Sequence, residues 1–157
     1  MRRSEREITD FNEMIKILEA AEVCRLGLMD EKTPYIVPLN FGNEVSDGQV
    51  ILYFHGAGEG KKISLIREHG AASFEIDTDH RLSGADVACD FSYFYSSIIG
   101  EGSIELLEDL EDKLHGLKQI MKHYAHADVS GIPMSEEIAL RTAVMRLTVS
   151  RWTGKRH

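Results

Sequence analysis

Three runs of strand length follow one another with little chain between them. They are Val23-Cys24-Arg25-Leu26-Gly27-Leu28-Met29, Tyr35-Ile36-Val37-Pro38-Leu39-Asn40-Phe41 and Val50-Ile51-Leu52-Tyr53-Phe54. All three are rich in β-branched, aromatic or other apolar residues. The joins are polar: Asp30 to Pro34, then Asn43 to Gln49 with Asp47-Gly48 at its tip. Neither can hold the crossover helix that a parallel pair needs, so the three runs read as an antiparallel meander. A doubly wound parallel sheet is thereby excluded. Pro38 cannot donate to a ladder, which puts it on an edge, at a bulge, or where its strand faces something other than another strand.

Phe11, Met14, Ile15, Leu18 and Ala21 recur at helical spacing behind Thr9-Asp10. Either of those two can cap the helix, and Glu13 follows Asp10 by three residues. Ala71 to Asp77 reads as a strand, and Thr78 to Ala88 as a polar surface excursion. Phe91 to Ile99 continues through Gly100-Glu101-Gly102 into Ser103 to Leu107. Glycines inside such a pattern signal a bulge, a bend or close approach of another backbone. Glu108 to Tyr124 is helical, with Leu110, Leu114, Leu117, Ile120, Met121 and Tyr124 on one face. A break, a short helix over Glu136 to Arg141, a strand over Val144 to Val149 and a tail from Ser150 complete the chain. Six or seven strands joined mainly by hairpins, plus three helices, make a mainly β fold: a small antiparallel β-barrel or strongly curved sheet with peripheral helices. Residues 1–157 read as one domain.

The formal net charge of −8 argues against nucleic acid as a partner, since that needs a basic field. Cys24 and Cys89 form no metal-type spacing and no disulfide framework, so a reducing cytoplasm is expected. The arginines near the start lead into no apolar stretch, so no signal peptide is read. No run approaches the roughly 20 apolar residues of a membrane span.

The third strand ends in His55-Gly56-Ala57-Gly58-Glu59-Gly60, followed by Lys61-Lys62 and a helix with Ile63, Ile66 and Lys62 on one side. Glycines ahead of a helix N-terminus, with two lysines, suit an anion, phosphate above all. A solvated turn is the alternative. The spacing matches neither the Walker loop nor the dinucleotide fingerprint.

Several stretches, in order along nearly the whole chain, carry a resemblance: Arg2-Arg3 through Ile8, CRLGLMD, PYIVPLNF, LYFHGAGEGKK, FEID, CDFSYFYSSIIGEGSIE, MKHY and TGKRH. On these the chain resembles the pyridoxamine 5′-phosphate oxidase-like split-barrel flavoproteins, in the branch related to 5-nitroimidazole resistance proteins. The resemblance implies a six-stranded antiparallel split β-barrel and a homodimer with FMN in the cleft between subunits. It implies that Lys61 and Lys62 hold the flavin phosphate, with Gly60 leaving room. His55, Gly56 and Ala57 would lie along the flavin, and Val37, Pro38, Leu39 and Asn40 beside its ring. The partner subunit would supply residues from Ser97 to Gly100 and on to Gly102, and from the tail, with Trp152, Lys155 and Arg156 as candidates. The chain departs from true pyridoxamine phosphate oxidases: Gly60-Lys61-Lys62 replaces their serine-arginine-lysine run, and their C-terminal arginine and histidine pattern is missing.

His55 is the one catalytic candidate, a proton donor beside the flavin; a turn histidine or a metal ligand are its alternatives. The His123-x-x-His126 pair reads as solvated. Cys24 reads as core, Trp152 as packing or flavin stacking, and Tyr93 and Tyr95 as core, interface or pocket lining. The expected function is an FMN-dependent oxidoreductase using a small-molecule electron donor and acceptor, the acceptor a nitroaromatic. The alternatives are a non-catalytic flavin- or haem-binding protein and, third, a pyridoxamine phosphate oxidase. No membrane or nucleic-acid partner is expected.

Overall fold

The computed structural model describes residues 4–84, 86–125, 128–129 and 131–157. Arg2, Arg3 and His126 of the sequence reading lie outside the described residues. A short 3-10 turn (Ser4–Arg6) leads into β1 (Glu7–Ile8), then α1 (Phe11–Ala20), β2 (Cys24–Leu28), β3 (Tyr35–Leu39), β4 (Phe41–Ser46) and β5 (Gln49–Gly56). There follow α2 (Lys61–His69), β6 (Ala71–Ser83), a second 3-10 turn (Ala88–Asp90), β7 (Ser92–Leu106), α3 (Leu110–Ala125), α4 (Glu136–Arg141) and β8 (Ala143–Arg156).

The strands form one antiparallel sheet in the order β3-β2-β6-β7-β8-β5-β4, with β1 added to β8. The ends of that path, β3 and β4, are consecutive in the chain and are joined by Asn40 alone. The sheet therefore curls until its two edges meet at Asn40 without pairing, which is a split β-barrel. The interior is apolar: Leu26, Phe41, Leu52, Phe54, Phe74, Ile76, Ile98, Met145 and Leu147 are buried, with Met14, Ile17 and Leu18 of α1 packed on them. Asp10 begins α1 by accepting a hydrogen bond from the Glu13 backbone N–H at 2.9 Å. Cys24 is core, and burial pushes its thiol up, which leaves it unreactive.

Several elements differ from the sequence reading. Among the described residues the strands number eight. Tyr35–Leu39 and Gln49–Gly56 do not pair, so the first three runs are no contiguous meander: the first pairs with the second as β2 and β3, and the third pairs instead with β4 and β8. Asn43 to Ser46 is not turn but strand, paired with β5 from Asn43↔Leu52 to Ser46↔Gln49. The turn is only Asp47-Gly48, both at positive φ (51° and 78°), as a two-residue hairpin demands. Thr78 to Ser83 extends β6 beyond an irregularity at Asp79, and pairs with β7 through Arg81↔Phe94. The tail is strand as well, running along β7 as far as Ser96↔Arg156. These segments are polar because they project past the core, and so they carry no apolar alternation to read. His123 is also built in rather than solvated. Its Nε2 donates to the Ala21 carbonyl at 2.7 Å, and its ring packs on Phe41.

Glycines of β7 sit where the backbone has no room. A Cβ on Gly102 would fall on the Thr148 carbonyl, at a bulge between Glu101 and Gly102. One on Gly100 would lie 2.5 Å from the Phe74 ring.

Candidate functional site

The sequence-derived candidates fall into two groups, at opposite ends of β8. The first surrounds the split. Val37 and Leu39 turn inward and pack on the core, while Pro38 and Asn40 are exposed. The strand that carries Pro38 pairs on one side only, with β2, so the missing N–H sits on an edge strand. Across the split, Phe41 pairs with Phe54, and the chain then runs His55-Gly56-Ala57 into the glycine turn. Asn40 and His55 thus flank the same strand pair, which brings PYIVPLN and HGAGEGKK together. His55 is exposed, faces no hydrogen-bond partner among the described residues, and pairs through its backbone with Val144.

Gly60 caps α2 at φ 118°, a conformation closed to side chains, and no side chain caps the helix. The first N–H groups of α2 are left without a side-chain acceptor, in the arrangement that binds anions. The two lysines behind it differ. Lys61 is exposed. Its Nζ is 2.6 Å from Asp30 Oδ2 and lies 5.3 Å over the Tyr35 ring, so it ties the helix to the β2–β3 hairpin. The Asp30 carboxylate raises its pKa. Lys62 folds back over the turn: its Nζ lies 2.7 Å from where a Cβ on Gly56 would stand. Glycine at position 56 makes the space for that ammonium. Lys62 is half-buried, no carboxylate pairs with it among the described residues, and burial alone lowers its pKa. A cation held half out of water without a counter-ion is poised for an anionic ligand.

The second group lies on β7 and the end of β8, where register sets Gly100 opposite Trp152 and Ser97 opposite Lys155. Arg156 Nε donates to the buried Ser96 hydroxyl at 3.1 Å, and its Nη1 is 3.3 Å from Glu13 Oε2. Trp152 meets Phe11 edge-on at 5.6 Å between ring centroids. Gly100 is buried against Phe74, and Ser97 and Lys155 are half-buried. Gly56 pairs with Ala143 at the start of β8, whereas Lys155 lies near its end. About 30 Å of strand contour to Trp152 and about 40 Å to Lys155 separate the two groups at the usual rise. The chain does not bring its own two groups together.

Two further features have no single-residue signal in the sequence. A groove of about 710 Å³ opens beside the β2–β3 hairpin, lined among others by Gly27, Met29, Asp30, Ser73, Glu101 and Ser150. Of the sequence-derived site stretches only the end of Ser97–Gly102 reaches it, through Glu101 and Gly102; the Asp30–Lys61 ion pair is the link between groove and turn. Between β4, β5 and α3, the Tyr53 hydroxyl donates to Glu44 at 2.6 Å, and His115 Nε2 lies 2.8 Å from the other oxygen of that carboxylate. Burial, then the Glu44 hydrogen bond, push the Tyr53 hydroxyl pKa up. Among the described residues no three histidine, cysteine or acidic side chains converge on a metal-sized space, and no helix is long and apolar enough to cross a membrane.

Comparison with known proteins places this architecture. Residues 10–156 match the family model described as pyridoxamine 5′-phosphate oxidase. A candidate 5-nitroimidazole antibiotic resistance protein of Bacteroides thetaiotaomicron is 31% identical, with TM-score 0.81, over 96% of this chain and 86% of that one. The FAD and heme binding protein of Mycobacterium smegmatis shares the fold at 17% identity and TM-score 0.81, over 96% of this chain and 72% of that one. A FAD-binding protein of Mesorhizobium loti does so at 23% identity and TM-score 0.65, over 97% of each chain. No curated protein matches the chain. With a family model matched over residues 10–156 and a 31% identical relative of the same fold, this chain belongs to the pyridoxamine 5′-phosphate oxidase family, in the branch of the 5-nitroimidazole resistance proteins.

Proposed function

We propose that the protein is an FMN-dependent oxidoreductase that works as a homodimer and passes electrons from a pyridine-nucleotide donor to a small acceptor, a nitroaromatic. The observation that carries this reading is the Lys62 ammonium. It lies over Gly56 without a carboxylate partner among the described residues, beside the start of α2, which no side chain caps, and the open edge of β3. The flavin names borne by structural neighbours and the nitroimidazole name borne by the 31% identical relative support the cofactor and acceptor classes.

Bound flavin supplies the redox chemistry, taking up electrons and passing them on. The residues of this chain bind and orient. Lys62 and the first N–H groups of α2 hold the phosphate, and Gly56 and Gly60 let the backbone come close to it. Backbone groups on the free edge of Val37 to Asn40 hold the ring edge. The exposed His55 imidazole supplies or accepts a proton beside the ring. The Ser97–Gly102 and Trp152–Arg156 group comes from a second copy, because about 20 to 40 Å of strand separates it from the glycine turn of its own chain.

The test is cofactor identity. Purified protein is expected to be yellow, to release FMN rather than FAD on denaturation, and to bleach when a reduced pyridine nucleotide and then a nitroimidazole are added in turn. A colourless protein that FMN does not reconstitute overturns the reading. A yellow protein that no reduced pyridine nucleotide bleaches leaves a flavin carrier without turnover.

A further inference from the structure

β3 ends the sheet path, so one of its edges has no partner strand. It is fastened at both ends all the same. Beyond Leu39 the chain continues through Asn40 into β4. At Tyr35 the fastening is made by side chains. The Lys61 ammonium lies 2.6 Å from Asp30 Oδ2 and 5.3 Å over the Tyr35 ring. Asp30 stands in the turn just before β3, where the Thr33 backbone N–H donates to the Asp30 carbonyl at 2.9 Å. Lys61 is the first residue of α2, whose Ile63, Leu65 and Ile66 are buried in the core. α2 follows β5, which lies with β4 at the other end of the sheet path. One ammonium therefore reaches from one side of the split to the other. No other ion pair joins α2 to the β2–β3 hairpin among the described residues.

We propose that Asp30, Lys61 and Tyr35 form a strap that sets the distance between the start of α2 and the free edge of β3. Lys61 is then a positioning residue: its ammonium is committed to Asp30, and the phosphate is left to Lys62. The inference rests on the flavin reading above, which puts the phosphate at α2 and the ring edge at Val37 to Asn40. A ligand that touches both elements needs their spacing fixed, because small misplacements of a bound group are costly. An ion pair this exposed contributes little to folding, so its loss shows in ligand placement instead.

The test is titration of the apoprotein with FMN, followed by fluorescence, and with inorganic phosphate, followed by calorimetry. Asp30→Asn and Lys61→Met should each weaken FMN about three-fold, the worth of an exposed pair, and leave phosphate affinity unchanged. Lys62→Ala should weaken both. Asp30→Lys alone sets two ammonium groups against each other and should weaken FMN about ten-fold. Adding Lys61→Asp to it should restore most of that loss. Circular dichroism shows whether each variant is folded; Asp30→Asn, which keeps the side-chain shape, stands in if a reversal is not. The strap is also read without flavin, from hydrogen exchange of the Tyr35 to Val37 amides that pair with β2. Exchange should be faster in Asp30→Asn and parental in the reversed pair. A protein that binds no FMN but shows this exchange pattern loses the flavin reading and keeps the strap. Two results overturn the strap: unchanged exchange in Asp30→Asn, or Lys61→Met weakening phosphate as much as Lys62→Ala does, with the reversed pair worse than Asp30→Lys alone.

Discussion

At the scale of single residues, the two adjacent lysines have different work. Lys62 has a half-buried ammonium and no ion pair among the described residues, while Lys61 is held by Asp30. Lys62→Ala is expected to weaken FMN binding by about ten- to hundred-fold, the worth of a charge-assisted hydrogen bond of roughly 1.5–3 kcal/mol. Lys61→Ala should cost much less, and fluorescence titration of the apoprotein measures both. The Lys62 shift also sets a pH dependence. Burial lowers its pKa, so in the free protein the ammonium is lost at a lower pH than an ordinary lysine would require. Phosphate binds the charged form, so FMN affinity should fall as pH rises through that lowered pKa, and Lys62→Ala should flatten the alkaline limb. Gly102 is a purely steric case. Gly102→Ala places a methyl on the Thr148 carbonyl and should destabilise by roughly 3 kcal/mol in urea unfolding. Gly131→Ala, with nothing within 4 Å of the new Cβ, should stay within about 0.5 kcal/mol of the parent.

At the scale of elements, what could be read in the sequence followed local chemistry. Asp10 capping α1, Pro38 on an edge strand and Asp47-Gly48 as a hairpin tip each rest on one residue's own backbone preference, and each is present. Asp10→Ala should accordingly cost about 1 kcal/mol, read from the urea midpoint. The elements that escaped were those with no buried face along much of their length. Glu44, Val45 and Ser46 of β4, Thr78 to Ser83 of β6, and Ser150 to Arg156 of β8 are held largely by ladder pairing to a neighbour distant in sequence. Nothing in their local composition records that neighbour. In the site, the glycine turn was legible because Gly60 and Lys62 act locally. The Asp30–Lys61 pair was not, since the two residues come from different elements.

At the scale of the whole molecule, strand order was the least legible property. Phe41 could be joined to the Tyr35 run by simple continuity, but the sheet breaks at Asn40 and places β3 and β4 at opposite ends of its path. That break is what opens an edge beside the glycine turn. The same topology makes the second copy necessary to the proposed site, so the protein is expected to be a dimer by sedimentation, with one flavin per chain. Dilution to monomer should release the flavin; a monomer that retains it would count against the shared site.

β8 has one further consequence. It is a single strand whose start pairs beside the glycine turn and whose end carries the tail residues that the proposed dimer assigns to the other half of a cleft. In a two-fold pair, each chain then lends its glycine turn to one cleft and its tail to the other. Two different cripples should therefore complement. A Lys62→Ala chain mixed with a chain altered at Lys155 and Arg156 gives heterodimers in which one cleft carries both lesions and the other carries none, so tight binding returns to a fraction of the clefts in a preparation whose parents each bound weakly.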